Sequence, residues 1–100
     1  MAVNEINSSD FKEEISKGKV LVKFTAGWCG PCRQLAPILE ETSEEVKDVK
    51  FTELDVDKNG NIAQEYEIRG IPTLILFQDG KEIKRIVGVK SKEELKEELK

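Results

Sequence analysis

Residues 20–26 constrain the fold more than any other segment, because they form a short run that is apolar on both faces. Such a run is typical of a central strand in a parallel sheet that helices cover on both sides. Lys23 is the one charge inside it. A helix is predicted next, over residues 30–46, and a second strand over residues 49–56, which together make a right-handed strand–helix–strand unit. The sequence therefore predicts an α/β protein.

The other segments extend this unit to a sandwich of three layers, with a central mixed sheet and helices on both faces. Asp79-Gly80 is a strong hairpin signal, so the last two strands are predicted to be antiparallel. Ser91 and Glu94 are spaced as a capping box, which predicts the start of the last helix. The remaining predicted elements are a helix over residues 8–17, a short helix opened by residues 59–61, and hairpin strands over residues 73–77 and 83–87.

The length of 100 residues is typical of one domain, so residues 1–100 are predicted to form a single domain. The longest uninterrupted apolar run, residues 74–77, is far too short to span a membrane. A net charge of −4 and the lack of basic blocks argue against nucleic acid as a partner. The amino-terminal residues have neither a basic region nor an apolar core, so no signal peptide is predicted and a cytoplasmic location is expected. The chain is also expected to be a monomer.

The two cysteines, Cys29 and Cys32, and the absence of histidine limit the possible functions more than the size of the chain does. Without histidine, neither a Cys–His pair nor a Ser–His–Asp triad can form. Two thiols are too few for a zinc or iron–sulfur site within one chain, so no metal is expected. As a structural crosslink, the pair would close a very short loop and restrict the unfolded chain little. Redox chemistry remains as the function of the pair.

The spacing of Cys29 and Cys32 favours a dithiol–disulfide couple. Cys29 precedes the predicted helix and faces its unpaired amides and positive dipole end, which lower the pKa of this thiol. We therefore expect Cys29 to be an exposed nucleophile that attacks a substrate disulfide. Cys32 lies in the first turn, within disulfide reach, and is expected to be the buried thiol that resolves the mixed disulfide. Gly30 allows close approach of a partner, and the fixed φ of Pro31 suits the first helical turn.

A second motif, residues 55–62, matches the first positions of a calcium-binding EF-hand loop. That loop requires a bidentate glutamate near its end, where this chain has Tyr66, and a preceding helix, where a strand is predicted. We therefore interpret the segment as a strand end, a turn and a helix cap formed by Asp57, Asn59 and Asn61.

Three strings of residues resemble the thioredoxin family: Ala26 to Cys32 followed by Pro37, Gly70 to Thr73, and Val87-Gly88. The likeness covers essentially the whole chain. It implies a thioredoxin fold with strand order 1-3-2-4-5, in which a short first strand lies near residues 3–6. It also implies a general cytosolic reductant of protein disulfides that binds no cofactor and is recycled by NADPH-dependent thioredoxin reductase.

The resemblance also implies where substrates bind. It indicates a cis Ile71–Pro72 peptide bond that faces the cysteines and turns the backbone of Ile71 towards an extended substrate. Trp28 is expected on the same surface; the alternative is that part of its ring lies in the core. The expected apolar patch around Cys29 consists of Trp28, Gly30, Pro31, Ile71, Pro72, Gly88 and Val89.

The chain departs from the family at two charged positions. Thioredoxins usually carry a buried Asp where this chain has Lys23, and a Lys where it has Glu53. We interpret this as an exchange of charges, because an unpaired charge in a central strand would be costly; the alternative is two unrelated surface charges. In the family, the buried Asp is proposed to take the proton of the resolving thiol. Two roles stay open here: Glu53 is the base held by Lys23, or Lys23 itself favours the Cys32 thiolate.

Two other functions fit the same residues. One is a thioredoxin-fold subunit that serves a larger assembly through its apolar patch, with the redox pair incidental. The other is a disulfide oxidant or isomerase, which would use the same two thiols, although Gly30-Pro31 between them favours the reducing direction.

Overall fold

The computed structural model describes residues 3–100. Its strands are β1 (Val3–Glu5), β2 (Lys19–Thr25), β3 (Val49–Asp55), β4 (Thr73–Gln78) and β5 (Lys81–Val87), and its helices are α1 (Phe11–Glu14), α2 (Gly30–Glu45), α3 (Gly60–Glu65) and α4 (Lys92–Glu98). The strands form one sheet in the order β1-β3-β2-β4-β5, so the predicted topology is confirmed.

β2 is the centre of the sheet, as its apolar pattern predicted. It pairs in parallel with β3 and antiparallel with β4 over nearly its whole length. Its side chains alternate between the two faces: Val20, Val22 and Phe24 pack on one side of the sheet, and Leu21 packs on the other. β1 adds to β3 in parallel, and β5 adds to β4 in the antiparallel direction. The sheet is therefore mixed, with β2 buried in the middle.

Helices cover both faces of this sheet. One core layer lies under α2 and α4, which contribute Leu39 and Leu95. The other lies under α1 and α3 and is aromatic: the rings of Phe11 and Phe77 meet edge to face at 5.8 Å, and Tyr66 contacts both. No helix within residues 3–100 is long and apolar enough to cross a membrane. The predicted three-layer arrangement is confirmed.

The helix that contains Cys32, α2, packs its buried residues Leu35 and Leu39 against the sheet and against α4. At its far end, Glu45 forms ion pairs with Lys92 at 2.7 Å and Lys96 at 2.8 Å. Hydrogen bonds from these ammonium groups, that of Lys92 foremost, lower the pKa of Glu45 to about 2. Exposed pairs of this kind stabilise a protein little, because water screens them. The buried leucines therefore hold α2 in place.

The first helix is shorter than the predicted residues 8–17, since α1 covers only Phe11–Glu14. Ser8 lies in a turn because its backbone N–H and its hydroxyl both donate to Asn59 Oδ1, at 2.7 and 2.8 Å. Beyond α1, Gly18 has φ of +69° and donates its N–H to Asp79 Oδ1 at 2.8 Å. Contacts with residues far along the chain therefore set both ends of this segment.

The predicted cap of α3 is confirmed in the position of Asn59 but not in its side-chain hydrogen bond. Asn59 is the N-cap residue, but its side chain makes no capping hydrogen bond, because Oδ1 is used by Ser8. Asn61 Oδ1 also accepts from the Ser8 hydroxyl, at 2.7 Å. The turn before α3 is held by Asp55, whose Oδ1 accepts the backbone N–H of Asp57 at 2.8 Å. Only the backbone of Asp57 takes part in this turn, so its carboxylate is available to accept a hydrogen bond from another residue.

The hairpin is present and longer than predicted. Asp79 and Gly80 connect β4 and β5 with φ of +50° and +88°, the left-handed conformation that a two-residue hairpin turn needs. The strands pair up to this turn, with Gln78 opposite Lys81. β5 therefore begins at Lys81 rather than at residue 83.

Candidate active site

The two cysteines lie where β2 ends and α2 begins, and they form a disulfide. Cys29 is the N-cap residue of α2, and its Sγ accepts the backbone N–H of Cys32 at 3.2 Å. Pro31 occupies the first turn, where its missing N–H breaks no helical hydrogen bond. The two Cα atoms are 5.3 Å apart, within the usual range for a disulfide. The strand-to-helix turn therefore sets the geometry of the pair.

Both cysteines are buried in the disulfide form, so the expectation that Cys29 is exposed is wrong for this form. The exposed fraction is 3% for Cys29 and 2% for Cys32. Ala26 packs with the two cysteines, and Val56 and Ile71 cover them from neighbouring loops. Because both residues are almost equally buried, their exposure does not distinguish the two sulfurs. The residues that cover them are distant in sequence, so this burial has no local signal.

The groups around Cys29 and Cys32 distinguish the two sulfurs. Cys29 Sγ accepts an amide at the start of α2 and lies 3.9 Å from the carbonyl oxygen of Ile71. Cys32 faces a pocket on the other side, between α2 and the sheet. An amide donor and the positive end of a helix stabilise a thiolate more than a thiol. The arrangement therefore favours Cys29 as the sulfur that carries negative charge after reduction.

Trp28 stands next to the disulfide on the surface and does not belong to the core. Its side chain is 67% exposed, and its Nε1–H donates to Asp57 Oδ2 at 2.7 Å. Asp57 is itself fixed, because its backbone N–H bonds to Asp55 Oδ1. This role of Asp57 could not be predicted from the sequence, since no local pattern links two residues that are 29 positions apart.

The loop before β4 also borders Cys29. The Ile71–Pro72 peptide bond is cis, and the carbonyl of Ile71 is the group that approaches Cys29. The carbonyl of Pro72 accepts the backbone N–H of Gly88 at 2.9 Å, which brings the end of β5 to this loop. Gly88 has φ of +94°, a conformation that favours glycine. Val89 is half-buried and packs against the core under α2 and α4.

An open pocket of about 280 Å³ lies between Trp28 and Ile71. Gly30 and Pro31 follow Cys29 in the chain and are both exposed, as expected for a surface that a partner approaches. Val87, which was not among the predicted site residues, is a further exposed apolar residue, at 60%. The pocket is lined by Trp28, Val56, Ala63, Ile68, Arg69 and Ile71.

Lys23 and Glu53 lie opposite each other on the neighbouring strands β2 and β3. Lys23 Nζ is 3.5 Å from Glu53 Oε1, so the two residues form an ion pair. The side chain of Lys23 is only 4% exposed, whereas that of Glu53 is 36% exposed. The ammonium group is therefore the buried member of the pair.

The pair opens into the pocket that Cys32 faces. This pocket has a volume of about 240 Å³ and reaches solvent under the first turns of α2. No group of three or more His, Cys, Asp or Glu side chains within residues 3–100 is placed to hold a metal ion. The charged residues that line the pocket are Glu5, Lys23, Arg33, Glu53 and Asp55.

Comparisons with known proteins agree with this fold. The sequence model of the thioredoxin family matches residues 2–100. A thioredoxin of Chlamydia pneumoniae is 50% identical over 91 residues, which cover 91% of this chain and 89% of that protein. A thioredoxin of Staphylococcus epidermidis is 44% identical over 99% of this chain and 96% of its own length. Among solved structures, the thioredoxin of Malassezia sympodialis superposes with a TM-score of 0.88 at 33% identity, covering 99% of this chain and 91% of that one. With its paired cysteines at the start of α2, the chain belongs to the thioredoxin family.

Proposed function

We propose that this chain is a general reductant of protein disulfides in the cytoplasm. Its family and its Cys29–Cys32 pair make it a thiol–disulfide oxidoreductase of the protein-disulfide reductase type. The observation that carries the proposal is the pair itself, with Cys29 as the N-cap of α2 and the Cys32 amide donating to its sulfur. A cytoplasmic location follows from the reducing direction, because the cytosol keeps thiols reduced.

The reaction needs only the two thiols. The Cys29 thiolate attacks one sulfur of the substrate disulfide, and the other substrate sulfur leaves as a thiolate. Cys32 then attacks the Cys29 sulfur, which releases the second substrate thiolate and forms the Cys29–Cys32 disulfide. Two electrons and two protons pass from the chain to the substrate. No bound cofactor takes part in either step.

The oxidised chain must then be reduced by another protein. By analogy with the family, we assign this step to thioredoxin reductase, which draws its electrons from NADPH. The exchange is again a dithiol–disulfide reaction, so the chain carries electrons between two partners. A monomer suits this role, because the same face must meet the reductase and the substrate in turn.

We assign substrate binding to the apolar surface around Cys29. Trp28 and Ile71 border an open pocket there, and an extended peptide that lies along Ile71 can pair with its backbone as an added strand does. Val87 extends the exposed apolar area. The proposed binding residues are Trp28, Gly30, Pro31, Ile71, Pro72, Gly88 and Val89.

Asp57→Ala is expected to weaken the reduction of proteins without affecting small disulfides. The substitution frees the Trp28 ring, and a substrate that orders the ring on binding must meet that entropic cost. Ordering one such side chain costs about 0.5–1.5 kcal/mol, so kcat/KM for insulin should fall roughly two- to tenfold. The rate with dithiodipyridine, a small disulfide, should not change. Asp48→Ala, an exposed carboxylate near the other end of β3, is the matched control.

The function itself is tested with insulin as the disulfide substrate. The chain is mixed with NADPH and a bacterial thioredoxin reductase, and the consumption of NADPH is followed. We expect steady turnover with the native chain and none with the Cys29→Ser/Cys32→Ser variant. A native chain that the reductase reduces but that leaves insulin intact would contradict the proposal and favour the binding-subunit alternative.

The direction of the reaction is tested by equilibrating the Cys29–Cys32 couple with reduced and oxidised glutathione. A Cys29–Cys32 couple that is more reducing than glutathione supports the proposed function as a reductant of protein disulfides. A couple that is more oxidising would support the disulfide oxidant or isomerase instead.

A further inference from the structure

Nothing in the reaction cycle above uses Lys23, although it is a buried charge at the centre of the sheet. Its side chain is 4% exposed, and an ion is costly to remove from water unless its charge serves a purpose or is paired. Val22 and Phe24 pack towards α1 and α3, so alternation along β2 turns Lys23 towards α2. That is the helix whose first turn contains Cys32.

The charges around Lys23 differ in their contact with water. Glu53 is its ion-pair partner and is 36% exposed, and the neighbouring carboxylates of Glu5 and Asp55 are exposed or half-buried. Solvent screens such groups strongly, whereas it screens the buried ammonium group much less. The charged groups that face Lys23 are Glu5 from β1, Glu53 and Asp55 from β3, and Arg33 and Glu40 from α2.

We propose that the ammonium group of Lys23 stabilises the thiolate of Cys32 and so supports its attack on the mixed disulfide, while Glu53 holds Lys23 in place. The inference rests on the proposed disulfide-reductase function and names the group that prepares its second step. A protonated Glu53 would leave the buried ammonium group without its partner, which disfavours Glu53 as the proton acceptor.

The step balances without a further reactant. Cys32 releases its proton to solvent in the open pocket that it shares with Lys23. The thiolate attacks the Cys29 sulfur, the bond between Cys29 and the substrate sulfur breaks, and the Cys29–Cys32 bond forms. The substrate leaves as a thiolate and takes a proton from water.

The test follows the two steps separately with dithiodipyridine, a neutral chromogenic disulfide. With the reduced chain in excess, attack by Cys29 releases one thiopyridone, and resolution by Cys32 releases the second. The first phase reports the proposed function, and the second phase reports the proposed role of Lys23. If no thiopyridone is released, the proposed function fails; if only the second phase departs from expectation, the role of Lys23 fails.

Lys23→Met should change the pH dependence of the second phase in a way that structural damage cannot. Loss of this favourable charge makes the Cys32 thiol harder to deprotonate and so lowers its thiolate fraction at low pH. A more basic thiolate is also a better nucleophile, so the net loss is roughly threefold at low pH and turns into a gain of roughly threefold at high pH. The first phase should keep its rate.

Two further variants complete the test. Lys19→Met removes a lysine from the same strand and the same face, far from Cys32, and should leave both phases unchanged. Glu53→Gln keeps a side-chain oxygen that can accept a hydrogen bond from Lys23 and hold it in place, but it removes the opposing negative charge. Its second phase at low pH should therefore be as fast as in the native chain or faster. A slower second phase in Glu53→Gln would overturn the proposal and identify Glu53 as the group that accepts the Cys32 proton. A second phase of Lys23→Met that is slowed equally at every pH would also overturn it and assign the effect to altered packing.

Discussion

Cys32→Ser is expected to stop turnover and to leave a stable mixed disulfide between Cys29 and the substrate. The first attack needs only Cys29, whose sulfur lies at the start of α2 and accepts the Cys32 amide. Release of the substrate needs a second thiol, and a serine hydroxyl is no substitute for it. Cys29→Ser should give no adduct, because Cys32 faces the pocket under α2 rather than the substrate surface.

Mass spectrometry of each variant after incubation with insulin measures this directly. Cys32→Ala is the control for the serine hydroxyl and should trap the same adduct. The two cysteines are equally buried in the disulfide form, so the assignment depends on their surroundings and not on exposure. An adduct that forms on Cys29→Ser and not on Cys32→Ser would reverse the roles of the two thiols.

The centre of the fold could be predicted from the sequence because local patterns determine it. The alternation within β2 places apolar side chains on both faces, and both core layers follow from it. The left-handed turn at Asp79-Gly80 is equally local, and it sets the β4–β5 hairpin. The order of the strands came from the resemblance to a family, since pairing of distant strands has no local signal.

The predictions that were wrong depend on contacts across the fold. The length of α1 is limited by the hydrogen bonds of Ser8 to Asn59, which lies 51 positions away. Those same bonds occupy Asn59 Oδ1, so Asn59 is the N-cap residue of α3 but makes no side-chain capping bond. The burial of Cys29 requires Ile71, and no pattern near the cysteines could indicate how closely that loop packs.

The charged pair was predicted in part. The register of β2 and β3 places Lys23 opposite Glu53, as the resemblance suggested. Which member is buried could not be read from the sequence, because it depends on the shape of the pocket under α2. The structure gives 4% exposure for Lys23 and 36% for Glu53, and this difference carries a prediction about stability.

Glu53→Gln is expected to destabilise the chain more than Lys23→Met does. Removing Glu53 leaves an ammonium group that is almost fully buried without its partner, whereas removing Lys23 leaves a carboxylate that water can reach. Breaking a fully buried pair costs about 3–5 kcal/mol, and the open pocket reduces this to about 1–3 kcal/mol for Glu53→Gln. Lys23→Met should cost less than about 1 kcal/mol, because the methionine packs well and Glu53 is hydrated.

The double variant should be close to the native chain in stability, because it strands no charge. Urea unfolding of the four oxidised proteins completes the cycle and should give a coupling well above about 0.5 kcal/mol, the usual limit of additivity. Lys12 and Glu65 provide the matched control: their side chains are 71% and 46% exposed, so their cycle should show only the small coupling of a surface pair. A coupling between Lys23 and Glu53 as small as that of the control, or a larger loss for Lys23→Met than for Glu53→Gln, would contradict the prediction. Either result would mean that water reaches the ammonium group as freely as the carboxylate.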